Sequence, residues 1–169
     1  SALFAGDAQG KACALRVGFF EVEVAAHFAG EATAQGQAEA EAGGGTGGLS
    51  AGVAAAIRGC STIILVEPLE SRRQLGLEFG ATHVIDPREV ADLAAAVREI
   101  LPTGVDNAFD TSGRPEVLAA VMNMLAPHGL FGIVGIPPAG TQMPGDLTQA
   151  LTLGHRLLGI IDGDADPAT

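Results

Sequence analysis

Gly43-Gly44-Gly45-Thr46-Gly47-Gly48-Leu49-Ser50 is the stretch on which the reading of the fold depends. It satisfies a G-x-G-x-x-G pattern through Gly43, Gly45 and Gly48. Each glycine has a steric reason to be there. The first permits a tight turn, the second lets the backbone approach a pyrophosphate, and the third lets the following helix pack closely on a sheet. Leu49 to Arg58 is Ala-rich and reads as that helix, its first N–H groups aimed at phosphate oxygens. Five glycines in six residues also suit a flexible linker, so the pattern needs its surroundings.

Those surroundings alternate strand with helix. Ser61 to Glu67 (STIILVE) is a short apolar run, as in a strand buried on both faces. Ser71 to Phe79 reads as a helix stopped at Gly80, and Thr82 to Asp86 as a strand. Asp92 to Leu101 reads as a helix ended by Pro102, and Val105 to Asp110 as a strand. Pro115 to Leu125 is a helix opened by proline, followed by a strand from Leu130 to Ile136. Leu147 to Leu153 reads as a short helix and Arg156 to Asp162 as a last strand. The alternation predicts the α/β class: a doubly wound parallel sheet, Rossmann-like, with helices on both faces.

One requirement fails. The glycine turn should follow a hydrophobic first strand, but Gly36 to Ala42 (GQAEAEA) alternates Ala with Glu and buries almost nothing. Either the first strand is poor, or a segment such as Val17 to Ala25 replaces it, or the domain is damaged there. The sheet is therefore expected to be incomplete at its first strand. Residues 1–42 are read as an irregular or unassigned segment, and residues 43–169 as one dinucleotide-binding domain.

The strand Ser61 to Glu67 ends in a carboxylate 19 positions past Gly48, where a ribose hydroxyl would be bound. A carboxylate there repels a 2′-phosphate, so Glu67 favours NAD over NADP, while Arg72 weakens that preference.

Composition narrows the rest. At 169 residues, 47 % apolar and 17 % charged, the chain suits one globular domain. It has seven Phe but no Trp or Tyr, so the core must come from aliphatic side chains. A net charge of −11 repels nucleic-acid backbones and anionic membrane surfaces. There is no long apolar run and no signal-peptide pattern, and a cytoplasmic location is expected. Cys13 and Cys60 form no Cys-x-x-Cys pair and are read as small buried side chains or idle thiols. The absence of Tyr excludes a short-chain dehydrogenase acid, and no Lys follows the glycines as a P-loop requires. His83, His128 and His155 are read as turn or edge residues, with His27 unplaced. Arg72 with Arg73, and Arg98 with Glu99, are read as solvated helix faces, and Asp162, Asp164 and Asp166 as an acidic tail.

From Gly43 to Pro167 the chain resembles the cofactor domain of medium-chain, zinc-type alcohol dehydrogenases, and the aryl-alcohol branch most closely. The resemblance is carried by GGGTGGLSAG (43–52), TIILVEPLESR (62–72), FGATHVID (79–86), FDTSGRPEVL (109–118), GIVGIPPAG (132–140) and LLGIIDGDADP (157–167). It implies that Gly43, Gly45, Thr46, Gly47 and Gly48 lie under the pyrophosphate, and that Glu67 and Arg72 hold the adenosine ribose. It implies further that Thr111, Ser112 and Arg114 flank the adenine side, that Val134, Gly135 and Ile136 line the nicotinamide pocket, and that Ile160 and Asp162 reach the same pocket. The last strand would pair two subunits into a homodimer.

The family's catalytic zinc ligands and structural zinc lobe have no counterpart here, since Cys13 sits in KACALRV rather than a Cys-Gly setting. Nor does the chain after the last strand carry the family's return to a catalytic domain. The expectation is an NAD-binding portion of an alcohol dehydrogenase, inactive by itself and holding no catalytic or metal-ligating residue. The alternative is a non-catalytic NAD-responsive or protein-interaction module.

Overall fold

The computed structural model describes residues 2–7, 47–142 and 145–160. They form strands β1 (Ala2–Asp7), β2 (Cys60–Val66), β3 (His83–Ile85), β4 (Val105–Asp110), β5 (Leu125–Ile133) and β6 (Arg156–Gly159). Between them lie helices α1 (Gly47–Ile57), α2 (Glu70–Glu78), α3 (Leu93–Ile100), α4 (Pro115–Met124) and α5 (Leu147–Leu153). From α1 onward, strand and helix follow the expected alternation, with ends shifted by a few residues. β5 is the main exception: it begins directly after α4, and its pairing with β4 is irregular between Val105 and Asn107.

One six-stranded sheet runs in the order β3-β2-β1-β4-β5-β6. This is the doubly wound Rossmann-like order, with its reversal at the centre. The pairs β2–β3, β4–β5 and β5–β6 are parallel.

The centre departs from expectation. The first-strand position is filled by Ala2–Asp7, which runs antiparallel to both neighbours; Val17–Ala25 and Gly36–Ala42 lie outside the described residues. Ala2 pairs with Leu65 and Phe109, while Asp7 pairs with Cys60. The physical reason lies in what the slot demands. Both flanking strands are largely buried, so their inner edges need backbone partners. The occupant must also be apolar, as ALFAG is and a run of alternating glutamates is not.

Residues alternate between the two faces of the sheet. Ile64, Val66, Ile85, Val105, Ala108 and Phe131 join Val97 of α3 and Leu118, Val121 and Met122 of α4 in the larger core cluster. Ile63 and Phe109 point the other way, toward Ala55 of α1. Helix ends follow local chemistry. Asp92 caps α3 by accepting from the Ala95 N–H at 3.1 Å, and Pro115 opens α4. Asp146 caps α5 through the N–H groups of Thr148 and Gln149.

Candidate functional site

The carboxyl ends of β2, β4, β5 and β6 lie along one edge of the sheet. Open α/β sheets bind ligands at that edge, where the strand order reverses. Glu67 follows β2, Thr111 and Ser112 follow β4, Val134 to Ile136 follow β5, and Ile160 follows β6. The amino end of α1 opens at the same edge, because Leu49 and Leu65 both adjoin Gly76 of α2. Gly47 and Gly48 form the first residues of α1. Gly43, Gly45 and Thr46, like Asp162, His27, Cys13 and the acidic tail, lie outside the described residues. The antiparallel β1 ends beside Cys60, the first residue of β2. It therefore finishes at the opposite edge from Glu67, and the glycine turn does not directly follow a parallel first strand as expected.

The turn after β2 is held by charge. The Glu67 carboxylate accepts from the Leu69 N–H at 3.0 Å and stands 3.9 Å from the Arg72 guanidinium. Beneath it, Arg73 Nη1 donates to the carbonyls of Glu67 and Pro68, each at 2.8 Å, and to Asp86 Oδ2 at 3.0 Å. Arg73 also pairs with Glu70. Arg88 holds Asp86 through Nε, Nη2 and its own backbone N–H, and it donates to the Pro68 carbonyl. The hydrogen bonds from Arg88, and to a lesser degree the charge of Arg73, hold the Asp86 carboxyl well below the usual carboxylate range.

The solvated-face reading of Arg72 with Arg73 is corrected by this network: the Arg72 side chain is 13 % exposed against Glu67, and that of Arg73 10 %. Arg73 is only 8 % exposed, because α2 turns it inward to meet Asp86, itself 8 % exposed at the end of β3. Sequence reasoning missed Asp86 and Arg88 as well. The available signal was the phase of α2: Arg72 and Arg73 are adjacent and therefore cannot share one solvated face fully.

The turns after β4 and β5 are held differently, by close approach. Asp110 is fully buried. Its side chain accepts from Ser112 Oγ at 2.6 Å, from the Ser112 N–H at 3.2 Å and from the Gly113 N–H at 2.8 Å. Its carbonyl accepts from Val134 at 2.9 Å and Gly135 at 3.0 Å. One residue thus ties both turns together. A Cβ at Gly135 would meet the Gly113 nitrogen, and would lie 2.7 Å from the Thr111 carbonyl carbon and 2.8 Å from that of Ser112. Gly113 has φ +64 and presses on Ile136. Val134 and Ile136 are left 41 % and 92 % exposed, an apolar rim on this edge. Ile160 continues the pairing by donating to the Ile133 carbonyl at 2.9 Å, and packs near Phe109. Arg114 is exposed and turned to Glu116.

Among the described residues, no group of three or more His, Cys, Asp or Glu side chains is placed to hold a metal. His83 lies on the surface, and His128, expected in a turn between helix and strand, instead lies within β5 at a left-handed φ of +63. Both ring nitrogens of His155 are buried without a hydrogen-bond partner among the described groups. Cys60 is buried as expected, but it is disulfide-bonded, so the idle-thiol reading does not hold for it.

A doubly wound sheet with an acidic residue closing β2, a helix amino end opening beside it and an apolar rim beyond the reversal defines a Rossmann-like domain of the dehydrogenase type. The zinc-binding dehydrogenase family pattern matches residues 47–167, and the chain belongs to that family of nicotinamide-cofactor-dependent oxidoreductases. It is 38 % identical over 120 residues to the geraniol dehydrogenase of Castellaniella defragrans, a match covering 71 % of this chain and 32 % of that one. The alcohol dehydrogenase zinc-binding domain protein of Burkholderia ambifaria superposes with a TM-score of 0.69 at 43 % identity, over 75 % of this chain and 34 % of that one. The benzyl alcohol dehydrogenase of Acinetobacter calcoaceticus gives 0.68 at 39 % identity, over 74 % and 34 %. The chain thus spans about a third of the length of the relatives it matches.

Proposed function

We propose that this domain binds a nicotinamide dinucleotide across the carboxyl edge of the sheet, and NAD in preference to NADP. The observation that carries the reading is Glu67. Its carboxylate closes β2 and is held in place by the Leu69 N–H, where ribose hydroxyls can donate to it and a 2′-phosphate is repelled. Gly43, Gly45, Thr46, Gly47 and Gly48 would lie under the pyrophosphate, with the amino end of α1 supplying N–H groups. Arg72 would share the ribose, and Thr111, Ser112 and Arg114 the adenine side. Val134, Gly135 and Ile136, with Ile160, would line the nicotinamide. β5 stands three strand spacings from β2, about 14 Å, so a ligand touching both ends must be extended.

A nicotinamide held along Val134, Gly135 and Ile136 would supply hydride transfer for an alcohol–carbonyl interconversion in the whole enzyme. The residues of this chain would bind and orient it, and Val134 and Ile136 would keep water from its ring. The described residues supply no zinc ligand set, so no step through zinc is assigned to them. Relatives named for geraniol and benzyl alcohol support an alcohol as the substrate of the whole enzyme. A homodimer through β6 is proposed in addition. β6 is an edge strand with Leu158 39 % exposed, and α5 beside it exposes Leu147 and Leu151. A net charge of −11 disfavours nucleic acid as a partner. No helix among the described residues is long and apolar enough to cross a membrane, and a cytoplasmic site of action is proposed.

Calorimetric titration with NADH and, separately, NADPH tests the reading. Tighter binding of NADH, weakened about tenfold or more in Glu67→Ala, is expected. A cooperatively unfolding chain that binds neither nucleotide would overturn it.

A further inference from the structure

Six charged side chains gather around the turn after β2. Three are carboxylates, Glu67, Glu70 and Asp86, and three are guanidinium groups, Arg72, Arg73 and Arg88. Their charges balance, but their placement does not treat them alike. Glu67 stands above the turn, while Asp86 lies below it with its side chain 5 % exposed. Asp86 alone contacts two of the arginines, and both of those also donate to main-chain carbonyls of the turn. Arg73 is enclosed, whereas the Arg88 side chain is 64 % exposed and anchored chiefly by its fork on the Asp86 carboxylate.

We propose that Asp86 is a positioning residue that sets cofactor selectivity: by pinning Arg73 and Arg88 to the carbonyls of Glu67 and Pro68, it fixes the Glu67 carboxylate for the ribose hydroxyls and keeps Arg88 from a 2′-phosphate. The inference rests on the cofactor reading above. Its chemistry is that of the guanidinium fork, which matches a carboxylate or a phosphate equally well. While Asp86 occupies the fork, a 2′-phosphate meets the Glu67 charge offset only by Arg72, which stands 3.9 Å from that carboxylate. Without the Asp86 charge, the pocket gains a net positive unit and an exposed, mobile guanidinium on the turn that carries Glu67. Discrimination against NADP would then rest on Glu67 alone.

A purely structural Asp86 would behave otherwise. Its loss would loosen the turn and weaken both nucleotides by a similar factor, leaving their ratio unchanged. Selectivity, not affinity, is therefore the readout.

The test is calorimetric titration of the whole 169-residue chain with NADH and NADPH at one ionic strength, for the unmodified chain, Asp86→Asn, Arg88→Gln and the double variant, with thermal melts of each. In Asp86→Asn the preference for NADH should fall about tenfold, the worth of one charge-assisted contact to phosphate. Adding Arg88→Gln should restore the preference to within about threefold of its original value. Arg88→Gln alone removes an exposed side chain, so it tests the proposal even if Asp86→Asn fails to fold. It should sharpen the preference for NADH about threefold, because the Asp86 charge is left less compensated. Equal weakening of both nucleotides in Asp86→Asn, or an unchanged ratio in Arg88→Gln, would overturn the proposal and leave the cofactor reading standing. Failure of the unmodified chain to bind either nucleotide would overturn the cofactor reading and this inference with it.

Discussion

The turn after β2 and the paired turns after β4 and β5 occupy the same edge of the sheet but are built on opposite principles. The first is fixed by charges whose partners can be exchanged: Asp86, Arg73 and Arg88 around the carbonyls of Glu67 and Pro68. The second is fixed by volume: Gly113 and Gly135 press against each other's loops around the buried Asp110. Charge leaves a surface adjustable, since a single substitution changes what it attracts without moving the backbone. Close backbone packing leaves no such freedom. Recognition that varies belongs on the first kind of support, and geometry that must not vary belongs on the second.

The largest effect should come from breaking the packed side. Gly135→Ala places a methyl against the backbone of Thr111, Ser112 and Gly113. The loss of stability should reach about 3 kcal/mol, the upper end of ordinary overpacking. Chemical denaturation should show it, and binding of NADH and NADPH should weaken by the same factor. A ratio that shifts would erase the distinction between the two turns. Asp110→Ala comes next. It strands the Gly113 and Ser112 N–H groups in a buried site, at a cost of about 2 kcal/mol measured the same way. Ser112→Ala removes the hydroxyl's bond to Asp110 and the longer one it accepts from the Arg114 N–H at 3.3 Å, and should cost about 1 kcal/mol.

The smallest effect concerns His155, at the far edge of the sheet. Burial of its ring lowers its pKa below the ordinary value of 6.5. The unfolded chain then binds the proton more readily than the folded one. Stability should be full above about pH 6.5 and decline as the pH falls below it. His155→Phe should flatten that decline in melts between pH 5 and 7, while Ser112→Ala should not change its shape.

From β2 to β6 the fold was legible because each strand is a short apolar run and each helix carries a cap or a stop. Val105–Asp110 and Leu147–Leu153 match the sequence reading residue for residue. β1 was not legible. ALFAGD is too short and too far from its partners to announce a sheet, and nothing local reveals that a strand would enter the centre reversed. Glu67 could be read from its spacing to the glycines. Asp110 could not, because an aspartate at a strand end reads as solvated until the turns that enclose it are seen. Arg73 was misread for a related reason. α2 (ESRRQLGLE) has no apolar stripe to orient it, and only Asp86, 13 residues later, shows which side faces in.

Among the described residues, β1 is the strand that joins β2–β3 to β4–β6, and its pairs reach from Ala2 to Phe109. A ribosome makes it before every strand it must touch. At about 5–20 residues per second, some 5–20 s separate the synthesis of Ala2 from that of its partner Phe109. Even after β2 has been made, the edge of β1 that meets β4 stays unpaired until that interval ends, a condition that invites pairing with other chains. When β4 arrives, one zipping event closes the two halves of the sheet together. Production of this protein should therefore depend on what shelters residues 2–7 until β4 has been made as much as on the stability of the finished domain.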